Sequence, residues 1–97
     1  MGWTRALWVV AYDIADDGRR ERVATLLSAY GPRVQLSVFE CEVPSKAKGI
    51  ELRRSLRNVI DPIEDQIRIY PLADTDPSRT VILGARVLEE RADYWVI

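Results

Sequence analysis

The carboxylate best placed for chemistry in this 97-residue chain is Asp13. It follows Trp8-Val-Val-Ala-Tyr12 directly, where an apolar run gives way to the turn-forming Ala15-Asp-Asp-Gly18, so it leaves the core at the carboxyl end of a strand. Its structural alternative is a turn or helix-capping aspartate, and the same alternative applies to Asp16 and Asp17. Composition narrows the chemistry further. The absence of histidine removes Ser-His-Asp and Cys-His nucleophile systems, a histidine general base and a His-ligated zinc. Cys41 is the single cysteine, so an intrachain disulfide and a Cys₄ zinc site are excluded. Ser37 has no evident base, and the five glycines form neither a G-x-G-x-x-G nor a Walker A pattern. Catalysis would have to come from a carboxylate and a hard metal ion. In a twofold dimer a residue near the axis meets its own copy, so two Asp13 side chains could flank one shared metal, with a metal-activated water as nucleophile.

The second group with chemical potential is Arg19, Arg20 and Arg22, which open a helix just after Asp13. The macrodipole disfavours cations there by roughly 0.3–1 kcal/mol each. Phosphate binding is a role that offsets this; the alternative is a solvated basic turn paired with Asp16, Asp17 and Glu21. The net charge of -1 conceals an asymmetry: residues 1–60 hold ten basic and seven acidic groups, residues 61–97 four and eight. Twelve of the 14 basic residues are arginine, whose planar fork suits phosphate oxygens. Tyr12 and Phe39 read either as core or as base-stacking platforms.

These residues need a frame. Ala6 to Tyr12 reads as a central strand buried on both faces. Asp16 or Asp17 can cap a helix from about Arg19, with Val23, Leu26, Leu27 and Tyr30 on one side and Gly31-Pro32 as its stop. Arg33 to Val43 is either one bent strand or two short ones with a break near Gln35 to Ser37. Ser45 can cap a second helix carrying the apolar stripe Leu52, Leu56, Val59 and Ile60, with Lys46, Arg53, Arg54 and Arg57 on its polar side. Gln66 to Pro71 alternates as a strand whose end or edge Pro71 marks, and Thr80 to Leu83 is a short strand before Gly84. Tyr94-Trp-Val-Ile97 is apolar enough to dock on its own sheet or on a partner's edge. The order describes one α+β domain over residues 1–97, a two-layer sandwich of ferredoxin-like β-α-β-β-α-β type with an extra strand. No apolar run is long enough to span a bilayer and no signal-peptide cleavage pattern follows Tyr12, so the expected location is the cytoplasm.

Tyr12-Asp-Ile14, the arginines of the first helix, Tyr30-Gly31, Arg33-Val-Gln-x-Ser-Val-Phe-Glu40 and Asp65-Gln-Ile-Arg-Ile-Tyr70 together closely resemble the CRISPR-associated Cas two family, from about Ala6 to Leu72. That family is the small subunit of the spacer-acquisition machinery and is described as an endoribonuclease. The resemblance implies a ferredoxin-like homodimer, two short strands within Arg33 to Val43, and a tail, about residues 85–97, that crosses to the partner. It implies a Mg²⁺ (or Mn²⁺) site at Asp13 shared with the partner's copy, and supporting nuclease residues at Tyr12, Arg20, Arg22, Arg33 and Phe39. On the helical wheel Arg19 lies nearer the strand end than Arg20 or Arg22. The implied partners are RNA or double-stranded DNA and an integrase subunit. Two functions follow from the resemblance: a metal-dependent phosphodiesterase, or a non-catalytic scaffold holding duplex DNA between integrase subunits during spacer insertion.

Overall fold

The computed structural model describes residues 6–72 and 80–84. In β1 (Ala6–Asp13) side chains alternate, and Trp8, Val10 and Tyr12 are buried while their neighbours are not. The chain then forms α1 (Asp17–Ser28), β2 (Arg33–Gln35), β3 (Val38–Val43), α2 (Lys46–Val59), β4 (Gln66–Pro71) and β5 (Val81–Gly84). The strands make one antiparallel sheet in the order β2-β3-β1-β4-β5, the ferredoxin-like arrangement with β5 added beside β4. Arg33 to Val43 is therefore two strands, and β2 meets β3 with a register shift between Arg33 and Gln35.

Local chemistry sets the element ends. The Asp16 carboxylate accepts from the Arg19 N–H at 2.9 Å, so Asp16 caps α1, and the Ser45 hydroxyl accepts from the Lys48 N–H at 3.1 Å at the start of α2. At the end of α1 the backbone of Gly31 passes so close to the Glu40 carbonyl of β3 that a Cβ there would clash. Gly84 combines such an approach, to the Asp65 carbonyl, with a φ of +93°. Pro71 ends β4 opposite Trp8, although β4 is an interior strand.

The core lies between the helices and one sheet face: Val10 and Tyr12 of β1, Phe39 and Cys41 of β3 and Ile67 and Ile69 of β4 pack beneath Val23 and Leu27 of α1 and Leu52 and Leu56 of α2. Burial pushes the Cys41 thiol up to about 11. The expectation that β1 is buried on both faces needs correction. Leu7, Val9 and Ala11 point to the opposite face, where no described element covers them; Leu7 is 39% exposed. β1 is apolar on both sides because its second side is an open apolar surface rather than a second core. The last described strand, β5, pairs with β4 of its own chain, and the tail of residues 85–97 lies outside the described residues. No helix of the described residues is long and apolar enough to cross a membrane.

Candidate functional site

Asp13 is the final residue of β1, half-buried and opposite Gln66 of β4 in the register. Strand alternation puts it with Val9 and Ala11 on the open face. There Val9, Ala11, Val38, Arg68, Tyr70 and Leu72 line a shallow groove. Asp13 is not the helix cap, since Asp16 fills that position.

The chain beyond Asp13 is held by a residue that the sequence marks only as the first position of the Asp65-Gln-Ile-Arg-Ile-Tyr70 motif. Asp65, fully buried at the entrance of β4, accepts hydrogen bonds from the Ala15 N–H (2.9 Å), the Asp61 N–H (2.8 Å) and the Arg19 side chain, whose Nε lies 2.7 Å away. One carboxylate thus ties together the β1–α1 loop, the first turn of α1 and the α2–β4 turn. Burial works to raise its pKa, but the Arg19 side chain and the two backbone donors outweigh it and hold Asp65 below the ordinary carboxylate range. In return the hydrogen bond to Asp65 raises the Arg19 pKa, against a smaller desolvation effect, and Glu64 adds a second contact at 3.1 Å. In the adjacent turn, backbone hydrogen bonds from Glu64 and Ile63 hold Asp61 low as well. Arg19, nearest the strand end as the wheel indicates, is thereby committed to Asp65 rather than left for phosphate. The sequence signal was the Asp61-x-x-x-Asp65 spacing beside a strand start, which reads equally well as a solvated turn.

The other expected residues are sorted by the sheet. Tyr12 and Phe39 are core residues on the helix-covered side, their rings stacked with centroids 6.2 Å apart, and the Tyr12 hydroxyl donates to the Leu36 carbonyl at 3.5 Å. The Arg33 guanidinium sits 5.3 Å from the Phe39 ring centroid. Arg20 joins them: with Tyr12, Arg33, Leu36 and Ser37 it lines a cleft of about 430 Å³ between α1 and β2. Its guanidinium is held by Asp17 and by the Ile14 carbonyl at 3.0 Å. Arg22 does not join. Two residues on a helix differ by about 200°, so Arg22 projects from the opposite flank of α1, exposed. The structure gathers Tyr12, Arg20, Arg33 and Phe39, leaves Arg22 apart and puts Asp13 across the sheet from all of them.

Among the described residues no group of three or more metal-ligating side chains clusters. The sequence of this sandwich matches known proteins over most of its length. Residues 6–80 match the family model described as CRISPR associated protein Cas2. A Synechocystis protein named CRISPR-associated endoribonuclease Cas2 3 is 54% identical over 78 residues, 80% of this chain and 84% of that protein. A Thermus thermophilus protein named CRISPR-associated endonuclease Cas2 2 is 43% identical over 93 residues, covering 96% and 98%. Among solved structures, Streptococcus pyogenes Cas2 superposes with a TM-score of 0.62 at 38% identity, covering 66% of this chain and 82% of that one. A hypothetical protein from Thermus thermophilus gives 0.68 at 50% identity, covering 72% and 84%. With fold, strand order and three quarters of the sequence in agreement, this chain belongs to the CRISPR associated protein Cas2 family.

Proposed function

We propose that the protein is a dimeric, Mg²⁺-dependent phosphodiesterase of the spacer-acquisition machinery, in which the Asp13 carboxylates of two chains share the metal. The observation that carries this reading is the position of Asp13: last residue of the central strand, on the sheet face no described element covers, beside an apolar groove. A second copy related by a twofold axis and laid on that face would repeat Val9, Ala11 and Tyr70 against themselves and present a second Asp13 to the same interface. Covering Leu7, Leu72 and Ile82, which are 39%, 50% and 49% exposed, would add the hydrophobic drive that a 97-residue chain benefits from.

The donor set fits the ion. Carboxylate oxygens are the hard ligands Mg²⁺ and Mn²⁺ take, and Mg²⁺ commonly uses one or two of them. When bound, the ion supplies Lewis-acid polarisation of the phosphodiester and a more acidic water. The chain's own contribution is positioning: the β1–β4 register fixes the backbone before Asp13, and the Ala15-to-Asp65 hydrogen bond fixes it after. Arg20 and Arg33 supply positive charge for phosphate at the cleft between α1 and β2. The names of the relatives cover endoribonuclease and endonuclease, so RNA and double-stranded DNA are both assayed. Asp13→Ala should abolish Mg²⁺-dependent cleavage while sedimentation still shows the dimer; retained cleavage would sink the mechanism.

One observation favours a second reading, a non-catalytic adaptor holding duplex DNA between integrase subunits. Within one chain the sheet separates Asp13 from the cleft of Tyr12, Arg20 and Arg33. In that case Asp13→Ala should support spacer acquisition at the unmodified rate, and loss of acquisition would argue against the adaptor.

A further inference from the structure

The polar side of α2 carries a second concentration of positive charge, away from Asp13 and from the α1–β2 cleft. At about 100° per residue, Lys46, Arg53, Arg54 and Arg57 fall within an arc of about 100°, with no acidic residue in it. Lys46, Arg54 and Arg57 are exposed, Arg53 at one edge of the arc is half-buried, and the one apolar member, Ile50, is 41% exposed, so the arc faces solvent over most of its width. Its length from Lys46 to Arg57 is about 16 Å. Among the described residues none of the four cations is ion-paired, whereas Lys48, off the arc, is held by Glu51 at 3.1 Å. Four unneutralised cations in a row repel one another, and a line of phosphates offsets that repulsion.

We infer that this stripe is a docking surface for the phosphate backbone of duplex DNA. It rests on the nucleic-acid binding in the proposed function but not on its catalytic half. The occupant follows from the side chains present. Single strands are held by aromatic stacking platforms, and the stripe has no aromatic residue. Duplex RNA is engaged largely through its 2′-hydroxyls, and the stripe carries no hydroxyl or amide group, since Ser55 and Asn58 lie outside the arc. Cations on a straight helix meet the remaining requirement, a regular line of phosphates read without sequence preference. Because helices cover only one sheet face, a dimer formed through the open face leaves the stripe exposed on both copies.

The test is fluorescence anisotropy of a labelled 30-base-pair DNA duplex with the full chain across a salt series. Arg53→Gln with Arg57→Gln should weaken binding equally on unrelated sequences and lower the slope of log affinity against log salt by about 2 for each stripe engaged. Lys48→Gln, a single charge removed off the stripe, should leave the slope in place, whereas Arg57→Gln alone should lower it by about 1 for each stripe engaged. An unchanged slope in the double variant, an equal effect of Lys48→Gln, or tighter binding of a single strand or an RNA duplex would each overturn the proposal. Circular dichroism checks that each variant keeps the fold, and Arg54→Glu, at an exposed position, serves as an independent second probe. Since no cleavage is read, an inactive enzyme with intact stripe-dependent binding would remove the catalytic reading and leave this one standing.

Discussion

Neighbouring residues of β1 meet opposite surroundings. Val10 and Tyr12 point into a core sealed by two helices, whereas Val9, Ala11 and Asp13 point to a face of the same sheet that no described element covers. The covered face is completed by its own chain: its carboxylate, Asp65, is satisfied by four hydrogen bonds from three chain positions. The open face presents apolar side chains around the half-buried Asp13, and no described element covers it; in the proposed dimer a second molecule supplies its complement. The covered face accounts for folding, and the proposed function assigns the other to assembly.

Substitutions at adjacent residues separate the two most sharply. Val10→Asp places a charge in the core with no partner and should cost more than about 4 kcal/mol, leaving no cooperative thermal transition. Val9→Asp should shift the transition by only a few degrees but convert the dimer to monomers in sedimentation velocity. If Val9→Asp unfolds the chain, or leaves the dimer intact, the contrast fails.

Asp65 sharpens the covered side. Asp65→Ala leaves the Ala15 and Asp61 N–H groups and the Arg19 guanidinium without their acceptor, a loss of about 3 kcal/mol in urea denaturation at neutral pH. Its folded-state pKa lies below the unfolded value, so the folded state binds fewer protons. The stabilisation is fully present above the unfolded carboxylate value of about 4 and is lost as pH falls through the folded one. The urea midpoint should drop steeply below about pH 4 in the unmodified protein and more gently in Asp65→Asn.

The smallest effects distinguish the arginines of α1. Arg20→Ala and Arg22→Ala should each change stability by no more than about 0.5 kcal/mol. In anisotropy on RNA or DNA, Arg20→Ala should weaken binding more than Arg22→Ala, because only Arg20 shares the cleft with Arg33 and Tyr12. Equal losses would mean that the two flanks of α1 act as one surface.

Much of this arrangement was legible before the fold was seen. Strand length, the Asp16 and Ser45 caps, the Gly31 stop and the place of Asp13 are local properties, set by a few neighbouring residues and the hydrogen bonds they make. The family motifs added the break between β2 and β3. What the sequence left ambiguous are long-range pairings. Asp65 and Arg19 are 46 positions apart, and nothing in either neighbourhood says that one will be buried and the other bent toward it. The apolar stretch of β1 had the right composition but the wrong inference, because a sheet face left open by the described elements is here as apolar as a second core. Likewise Arg20 and Arg22 look equivalent in a motif, and only the placement of β2 beside one flank of α1 separates them.

The most direct test of the shared-metal claim is a Mn²⁺ titration followed by electron paramagnetic resonance, with Mg²⁺ as competitor. The account predicts one displaceable ion per two chains, abolished by Asp13→Ala in a protein that remains dimeric. One ion per chain, or binding unchanged in Asp13→Ala, would contradict it.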